Sequence, residues 1–432
     1  MKLEKDKIIF VGFMLFSMFF GAGNLIFPPF LGQNAGNQTL PSVIGFLITA
    51  VILPVLAVIV VVQTGGLDAV TDRVGKKFSV IFTVLLYLAI GPGLAIPRAA
   101  SVPFEMSIAP YLPQEANTLW WMIGYSVVFF ILSGWLSLNP GKLVDRLGTI
   151  LTPLLIVLLV FLFAVFAFKG EKSVAAAQQA YAQAPFIKGF CEGYLTMDAI
   201  AGLVFAPVVV KAFEGKNITD KKESLKYSST AGMLAGVILA AIYLMLTYMG
   251  MQSSGVYEIG ANGAVALRQI VYQLFGEFGA IILAAIFALA CLTTCVGLIT
   301  SVSEYFSKLT NATYKSMVWI ITAFSLVVCN YGLTTILNIS VPILNAIYPS
   351  VSVIIVMGLF DKYIKNPLIY PITIGATAVI SVIYALEGVV PLGVISTVCS
   401  KLPLYAHGFG WLSVTIIAFA VAFVLGKVKK SS

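Results

Sequence analysis

The chain consists of long apolar runs, each close to the length of a bilayer crossing, separated by short segments that are polar or contain Gly and Pro. An α-helix needs about 20 apolar residues to cross the hydrocarbon core, so each run predicts one transmembrane helix. The pattern therefore predicts an all-α integral membrane protein with twelve transmembrane helices. The predicted spans are residues 8–31, 41–63, 78–104, 118–138, 148–168, 186–212, 227–251, 271–301, 316–337, 340–360, 368–386 and 409–427.

The first span contains residues that do not favour a continuous helix. Gly21, Gly23 and Asn24 lie near its middle, and Pro28 and Pro29 follow. Inside a helix, Gly costs about 1 kcal/mol and Pro about 3 kcal/mol relative to Ala. Non-helical backbone at membrane depth is tolerated only where it is buried or lines a cavity, so a broken helix here would leave free peptide groups where transporters bind substrate and ions. The alternative is a glycine-rich face packed against a neighbouring helix.

The sixth span has a comparable irregularity, and Asp198 lies close to its centre. An acid at that depth costs about 2.5–3.5 kcal/mol when it has no partner, which makes it a functional candidate by default. Asp198 is also a candidate cap for a broken half-helix, since its carboxylate can accept backbone N–H bonds. Glu192 lies nearer the outer end of the span and is expected to be interfacial.

The two irregular spans begin five spans apart, which suggests a repeated five-span unit that returns upside down. We therefore expect a five-plus-five inverted repeat with discontinuous helices 1 and 6, plus two extra C-terminal helices. The predicted units are residues 1–168 (first repeat), 169–185 (external linker), 186–366 (second, inverted repeat) and 367–432 (helices 11 and 12 with a cytoplasmic tail).

The charges support a multi-pass membrane protein. Only 10% of the residues are charged and 59% are hydrophobic, whereas soluble domains have about 25% charged residues. The net charge of +8 is explained by basic loops on the inner side of the membrane rather than by nucleic-acid binding. Of the 26 Lys and Arg residues, 20 fall in predicted inside segments, so both termini are predicted to be cytoplasmic. The six in outside segments are Arg98, Lys169, Lys172, Lys188, Arg268 and Lys401.

The other polar residues do not indicate ATP-driven transport or catalysis. Arg98 and Glu105 lie toward the outer end of the kinked third span and are expected to be interfacial, the alternative being that they pair with each other or line a vestibule. On composition alone, Thr293 and Thr294 in the eighth span are expected to bond back to their own helix, the alternative being that the pair offers neutral oxygens to a small hard cation. The only histidine, His407, lies in a predicted outer loop. No phosphate-binding glycine loop with its Lys is present, which argues against direct ATP coupling, and no nucleophile–base constellation predicts an enzyme.

The first-span stretch from Gly21 to Pro29, the stretch from Glu192 to Asp198 and the overall span pattern resemble the bacterial branched-chain amino acid permeases. This resemblance extends over essentially the whole chain. It implies sodium-coupled import of leucine, isoleucine and valine by a leucine-transporter-type inverted-repeat fold in the bacterial inner membrane. The span-6 stretch does not closely match other members of that fold, so the resemblance leaves open how the substrate amine is held.

The resemblance also implies roles for individual residues. Leu292-Thr293-Thr294 is similar to the Leu-Thr-Ser of the eighth helix in that fold, which favours the two threonines as sodium ligands. The implied sodium ligands are Ser17, Phe20, Ala290, Thr293 and Thr294. The expected substrate-binding residues are Gly21, Ala22, Gly23, Asn24, Gly193, Tyr194, Thr196 and Asp198.

Three other functions remain as alternatives. A proton-coupled amino-acid or amine carrier of the same architecture would use Asp198 as the titrating group. A passive channel would normally have charged rings, and none is evident in this sequence. An intramembrane enzyme lacks a visible catalytic constellation. The sequence thus predicts a secondary transporter with no cofactor other than a coupling sodium ion, and with an amino-acid substrate and membrane lipid as its partners.

Overall fold

The computed structural model describes residues 5–113, 115, 117–139, 151–215, 218, 220–260, 262–390 and 392–431. Within these residues the regular structure is entirely helical. Nine helices there are long and apolar enough to cross a membrane, or ten if one bent pair is counted as a single span. The all-helical membrane fold is therefore confirmed, while the total of twelve spans stays a prediction.

Each of the first five predicted spans contains helix. Span 1 consists of two helices with a break between them. Spans 2 and 3 each contain a short π-helical segment between two α-helices. The bounds are Lys5–Phe19 and Ala22–Ala35 for span 1, Thr39–Leu47, Ile48–Ile52 and Leu53–Thr64 for span 2, Lys76–Leu88, Ala89–Gly93 and Ala95–Ser107 for span 3, Thr118–Ser137 for span 4, and Thr152–Lys169 for span 5.

The remaining spans include the second broken helix. Span 6 consists of Pro185–Glu192, a 3₁₀ turn at Gly193–Thr196 and a second helix, Asp198–Glu214. The other spans are Lys221–Ser253 (span 7), Phe278–Thr310 (span 8), Tyr314–Cys329 (span 9), Leu333–Leu359 (span 10), Ile369–Glu387 (span 11) and Gly410–Ser431 (span 12).

Span 8 begins later than the sequence predicts. A separate helix, Gly263–Phe275, precedes it and ends at Gly276, whose φ of 58° is readily adopted by glycine. The predicted start at residue 271 falls within this extra helix because its apolar residues run on toward those of Phe278–Thr310 without a long polar gap.

The second half of span 1 packs directly on span 7. A Cβ added to Gly32 would lie 2.1 Å from the Thr247 carbonyl oxygen, and one added to Gly250 would lie 2.0 Å from the Pro29 carbonyl oxygen. Glycines at these positions let the two backbones come into contact, as is common where helices pack in lipid. This contact holds the second half of span 1 in the middle of the helical bundle.

Candidate functional site

The break in span 1 is two residues long. The first helix ends at Phe19, and the second begins at Ala22. Between them, Gly21 has an extended backbone with φ −121° and ψ −154°. The discontinuity predicted near Gly21 and Asn24 is confirmed, but the helix resumes before Asn24 and continues through the two prolines.

The break in span 6 lies at the end of its 3₁₀ turn. Met197 has a left-handed backbone with φ 65° and ψ 11°, and Asp198 begins the second helix. The two helical parts are bent by 41° relative to each other. Asp198 therefore lies in the first turn of a half-helix, where the positive end of the helix dipole favours a carboxylate.

A hydrogen-bonded cluster joins the two breaks. Asn24 Nδ2 donates to Asp198 Oδ2 over 2.7 Å, and the Tyr243 hydroxyl donates to the same oxygen over 2.7 Å. Asn24 and Tyr243 are also in direct polar contact. The Asn24 Oδ1 atom accepts the Gly21 N–H over 2.9 Å. All three side chains are buried, so the cost of placing Asp198 in the membrane is offset by two donors.

Arg98 is not interfacial, and that expectation is wrong. Its side chain is 3% exposed, and Nη1 donates to the Leu195 carbonyl over 2.7 Å, with Nη2 3.5 Å from the Thr196 carbonyl. These carbonyls belong to the end of the first half of span 6, where the last carbonyls of a helix lack intrahelical partners. Span 3 runs on to Ser107, so Arg98 lies about 14 Å before its end at 1.5 Å per residue.

The two threonines of span 8 reach span 1 instead of only their own helix. Thr294 Oγ1 lies 3.1 Å from the Ser17 carbonyl, and Thr293 Oγ1 lies 3.2 Å from the same carbonyl. Thr293 Oγ1 is also 3.0 Å from the Ala290 carbonyl. The expectation from composition, back-bonding alone, therefore holds only in part for Thr293. Four of the five implied sodium ligands meet here, and Phe20 lies in the adjacent break.

This oxygen cluster borders the break in span 1. A Cβ added to Gly21 would lie 2.9 Å from Thr294 Oγ1. The Ser17 Oγ atom is buried and has no hydrogen-bond partner in the described part of the chain. In transporters with broken helices, unwound backbone carbonyls and the C-terminal ends of half-helices coordinate sodium, and hydroxyl oxygens can add further neutral ligands. The donor set thus fits a small hard cation.

A cavity of about 20 Å³ lies between the two breaks, which is room for about one water. Of the residues expected to bind substrate, Gly21, Ala22, Gly23, Asn24, Thr196 and Asp198 line it, together with Thr294 from the oxygen cluster and Arg98. The other lining residues are Met18, Phe19, Ile90, Ala95, Ala99, Met197, Ala201, Phe205 and Leu298.

Gly193 and Tyr194, also expected to bind substrate, do not line this central cavity. A Cβ on Gly193 would lie 1.9 Å from Thr49 Oγ1, so Gly193 packs on span 2. Tyr194 stacks on Tyr348 with ring centroids 4.5 Å apart and lines a separate cavity of about 370 Å³. That second cavity is also lined by the ion pair of Lys188 and Glu192, whose Nζ and Oε1 atoms are 2.5 Å apart.

Glu192 and the cysteines also have defined surroundings. Glu192 is buried and paired with Lys188, so the expectation that it is merely interfacial is incomplete.

All five cysteines are free thiols. Among the residues that the structure describes, no group of three His, Cys, Asp or Glu side chains is arranged to hold a metal ion.

Two residues of the site were missed by sequence reasoning. Nothing in the sequence marked Tyr243 as a site residue, because tyrosines are common in long apolar spans. The sequence did contain a mark for Arg98, because this residue follows Gly91, Pro92 and Gly93, which interrupt span 3 in the way that glycines and prolines interrupt span 1. In the structure Gly91 has a non-helical backbone with ψ −125°, and this irregular segment lies directly before the helix that carries Arg98.

Comparison with known proteins agrees with this architecture. The chain is 42% identical to the branched-chain amino acid permease BraB of Bacillus subtilis (strain 168) over 428 residues, which cover 98% of this chain and 95% of that protein. It is 39% identical to the branched-chain amino acid transport system 2 carrier protein of Pseudomonas aeruginosa (PAO1) over 437 residues, 99% of each chain.

A solved structure supports the fold. The nucleobase-cation-symport-1 family transporter Mhp1, in a closed conformation with bromovinylhydantoin bound, matches with a TM-score of 0.63 at 11% sequence identity, covering 98% of this chain and 93% of that one. The fold is therefore of the leucine-transporter type. The family model described as "Branched-chain amino acid transport protein" matches residues 4–429, and the chain belongs to this family of membrane transporters.

Proposed function

We propose that this protein imports leucine, isoleucine and valine by sodium symport, with alternating access to a site between the two broken spans. The observation that carries this proposal is the convergence of Thr293 and Thr294 on the Ser17 carbonyl, directly beside the break that meets Asp198. Coupling of ion and substrate requires an ion site that is close to the substrate site, and the oxygen cluster lies beside the break in span 1.

The second half of span 1 supplies the partner for the substrate carboxylate. The first N–H groups of a helix have no intrahelical acceptor, and the helix dipole is positive there. The amides of Ala22, Gly23 and Asn24 begin such a helix at the wall of the central cavity. A carboxylate placed there would gain several N–H donors.

Asp198 supplies the partner for the substrate ammonium. The hydrogen bonds that the Asp198 side chain accepts from Asn24 and Tyr243 both fall on Oδ2. The carboxylate can therefore still accept a donor at Oδ1. Broken-helix carbonyls near Thr196 are a second set of acceptors, although two of them already contact Arg98. The apolar lining residues Phe205, Ile90 and Leu298 suit a branched aliphatic side chain.

Sodium would bind among the oxygens of Ser17, Ala290, Thr293 and Thr294, with Phe20 as a further carbonyl donor. Each threonine hydroxyl has one hydrogen and two lone pairs, so both hydroxyls can turn their lone pairs toward a cation. Because Thr294 also contacts Gly21, ordering of this cluster would order the break that receives the carboxylate. By linkage, sodium and substrate would then raise each other's affinity by the same factor.

The ion gradient would supply the driving force. One positive charge moving inward through 100 mV releases about 2.3 kcal/mol. In the bacterial cytoplasmic membrane with both termini inside, the proposed orientation, this drives accumulation of the amino acid. The proposed repeats, residues 1–168 and 186–366, would move relative to each other around the site, joined by the linker 169–185.

One second candidate rests on a specific observation. Asp198 is a buried acid that accepts hydrogen bonds from Asn24 of span 1 and Tyr243 of span 7, so it can also be a proton carrier. Proton coupling would then replace sodium coupling in the same architecture.

The test is uptake of labelled leucine into liposomes containing the purified protein. We expect accumulation under an inward sodium gradient at equal pH on both sides, saturation with leucine, and competition by isoleucine and valine. Accumulation driven by a proton gradient in sodium-free buffer would favour the Asp198 proton carrier. Uptake that rises without saturation would indicate a channel.

A further inference from the structure

We propose that Arg98 binds the substrate carboxylate through the Nε–Nη2 edge of its guanidinium and thereby makes the transporter selective for amino acids over amines and amino amides. This inference rests on the proposed transport of branched-chain amino acids. It adds a residue that sequence reasoning placed at the membrane interface.

The guanidinium of Arg98 is only partly hydrogen-bonded. Arginine has five N–H donors, and in this structure Nη1 makes one short bond, 2.7 Å to the Leu195 carbonyl. Nη2 has only a 3.5 Å contact with the Thr196 carbonyl. Nε has no hydrogen-bond partner among the described residues, although it is buried. A buried donor without a partner costs about 1–3 kcal/mol, so a ligand that satisfies it is favoured.

The Nε–Nη2 edge of the guanidinium has the shape that a carboxylate needs. Nε–H and one N–H of Nη2 point the same way and are parallel, so together they match the two oxygens of one carboxylate. This two-bond geometry is specific to arginine, because lysine presents a single compact charge. The edge that the protein leaves under-used is therefore the one suited to a carboxylate.

The guanidinium also lies at the start of the second half of span 1. Arg98 lines the central cavity, and a Cβ added to Gly23 would lie only 2.7 Å from Nη2. Nη2 is thus directly beside the first turn of the second half of span 1, where the backbone N–H groups begin. The Phe27 ring of the same half-helix lies 5.5 Å from the guanidinium carbon and helps to position it. The guanidinium and the helix start can contact one carboxylate together.

The contact between Nη1 and the Leu195 carbonyl would link substrate binding to span 6. Nη1 can stay on the Leu195 carbonyl while the other edge binds the carboxylate, so Arg98 would connect the substrate to the first half of span 6. Amines lack the carboxylate altogether, and amino amides replace it with a neutral group that cannot accept two charge-assisted bonds. Both analogues would leave the Arg98 edge without a partner.

The experiment measures inhibition of labelled-leucine uptake in liposomes at saturating sodium by three probes: leucine, leucinamide and 3-methylbutylamine. The readout is the ratio of the inhibition constant of each analogue to that of leucine. We expect wild type to favour leucine strongly and Arg98→Gln to lower both ratios by about tenfold to a hundredfold, the effect of losing a hydrogen bond to a charged group. Arg268→Gln, on the separate helix Gly263–Phe275, serves as the matched control and should leave both ratios unchanged.

Two further variants keep the test decisive if Arg98→Gln does not fold. Arg98→Lys keeps the charge but loses the two-bond edge, and Gly23→Ala displaces Nη2 without changing charge. Both should lower the ratios. A purely structural role for Arg98 would weaken leucine and its analogues equally, and unchanged ratios in folded variants would overturn the inference. Absence of sodium-driven leucine uptake in wild type would instead overturn the transport proposal itself.

Discussion

The side-chain amide of Asn24 and the carboxylate of Asp198, 174 positions apart in the sequence, are joined by a hydrogen bond of 2.7 Å. Each residue lies in the first turn of the second half of a broken span. The bond therefore connects the two half-helix starts directly. A displacement of one break must therefore either move the other break with it or lose this contact.

The oxygen cluster predicts the sodium dependence of a single variant. Thr294→Ala removes a hydroxyl that contacts the Ser17 carbonyl, and we expect the sodium concentration for half-maximal leucine uptake to rise about tenfold, equivalent to about 1.4 kcal/mol. The measurement is leucine uptake as a function of sodium concentration. Ser301→Ala is the control, because this buried hydroxyl bonds only to its own helix, at the Gly297 carbonyl. An unchanged sodium requirement in Thr294→Ala would remove this residue from the ion site.

Gly21→Ala tests the same cluster from the other side. The Gly21 backbone is extended with negative φ, so alanine is tolerated there without backbone strain. Its Cβ would lie 2.9 Å from Thr294 Oγ1 and 3.0 Å from Thr294 Cγ2, which pushes Thr294 away from Ser17. We expect a higher sodium requirement in the same uptake titration, with near-normal protein stability.

The control for this variant is Gly375→Ala in span 11, where an added Cβ meets no atom within 4 Å. It should transport like wild type. If Gly21→Ala kept a normal sodium requirement while leucine affinity fell, the glycine would matter to the substrate and not to the ion cluster.

The interruption of span 1 could be predicted because Gly and Asn in an apolar run have a specific physical cost. The left-handed backbone of Met197 could not be predicted, because methionine has no preference for that conformation. The irregularity of span 6 was predicted from the neighbouring residue Asp198 instead. The meeting of Thr294 with Ser17 depends on how spans 1 and 8 pack, and composition alone favoured the local back-bond. Only the family resemblance pointed to the contact.

Asp198→Asn separates the two coupling schemes. Asparagine has the same shape and can still accept the Tyr243 hydroxyl bond, but it has no charge for the substrate ammonium. We expect leucine affinity to fall by about tenfold or more while uptake stays dependent on sodium. The measurement is leucine uptake over a range of leucine concentrations, with sodium and pH varied separately. Loss of a pH-driven uptake, with sodium irrelevant in wild type as well, would favour proton coupling through Asp198.

Gly32→Ala tests the packing that holds span 1 in place. The added Cβ would lie 2.1 Å from the Thr247 carbonyl oxygen and 2.7 Å from the Met251 amide nitrogen. Both are backbone atoms, so the helices must separate, at a cost of about 3 kcal/mol, the upper end of the usual range for overpacking. We expect a large drop in the unfolding temperature of the detergent-solubilised protein, measured together with its elution as a single species in size-exclusion chromatography.

The comparison variant is Gly12→Ala, whose Cβ would approach the terminal atoms of the Leu234 side chain at 2.7 Å. That side chain can rotate away, so Gly12→Ala should be only mildly destabilised. Equal stability of the Gly32 and Gly12 variants would contradict the backbone contact between spans 1 and 7.

The small volume enclosed between the two breaks has a consequence for bioenergetics. A space of about 20 Å³ holds about one water, which is too few for a continuous file of water molecules along which protons hop or ions diffuse. In this conformation the space between the two breaks has no room for such a file of waters. A cell that stores energy as an ion gradient depends on such leak-tightness, because every uncoupled ion that crossed would dissipate the gradient without moving any nutrient.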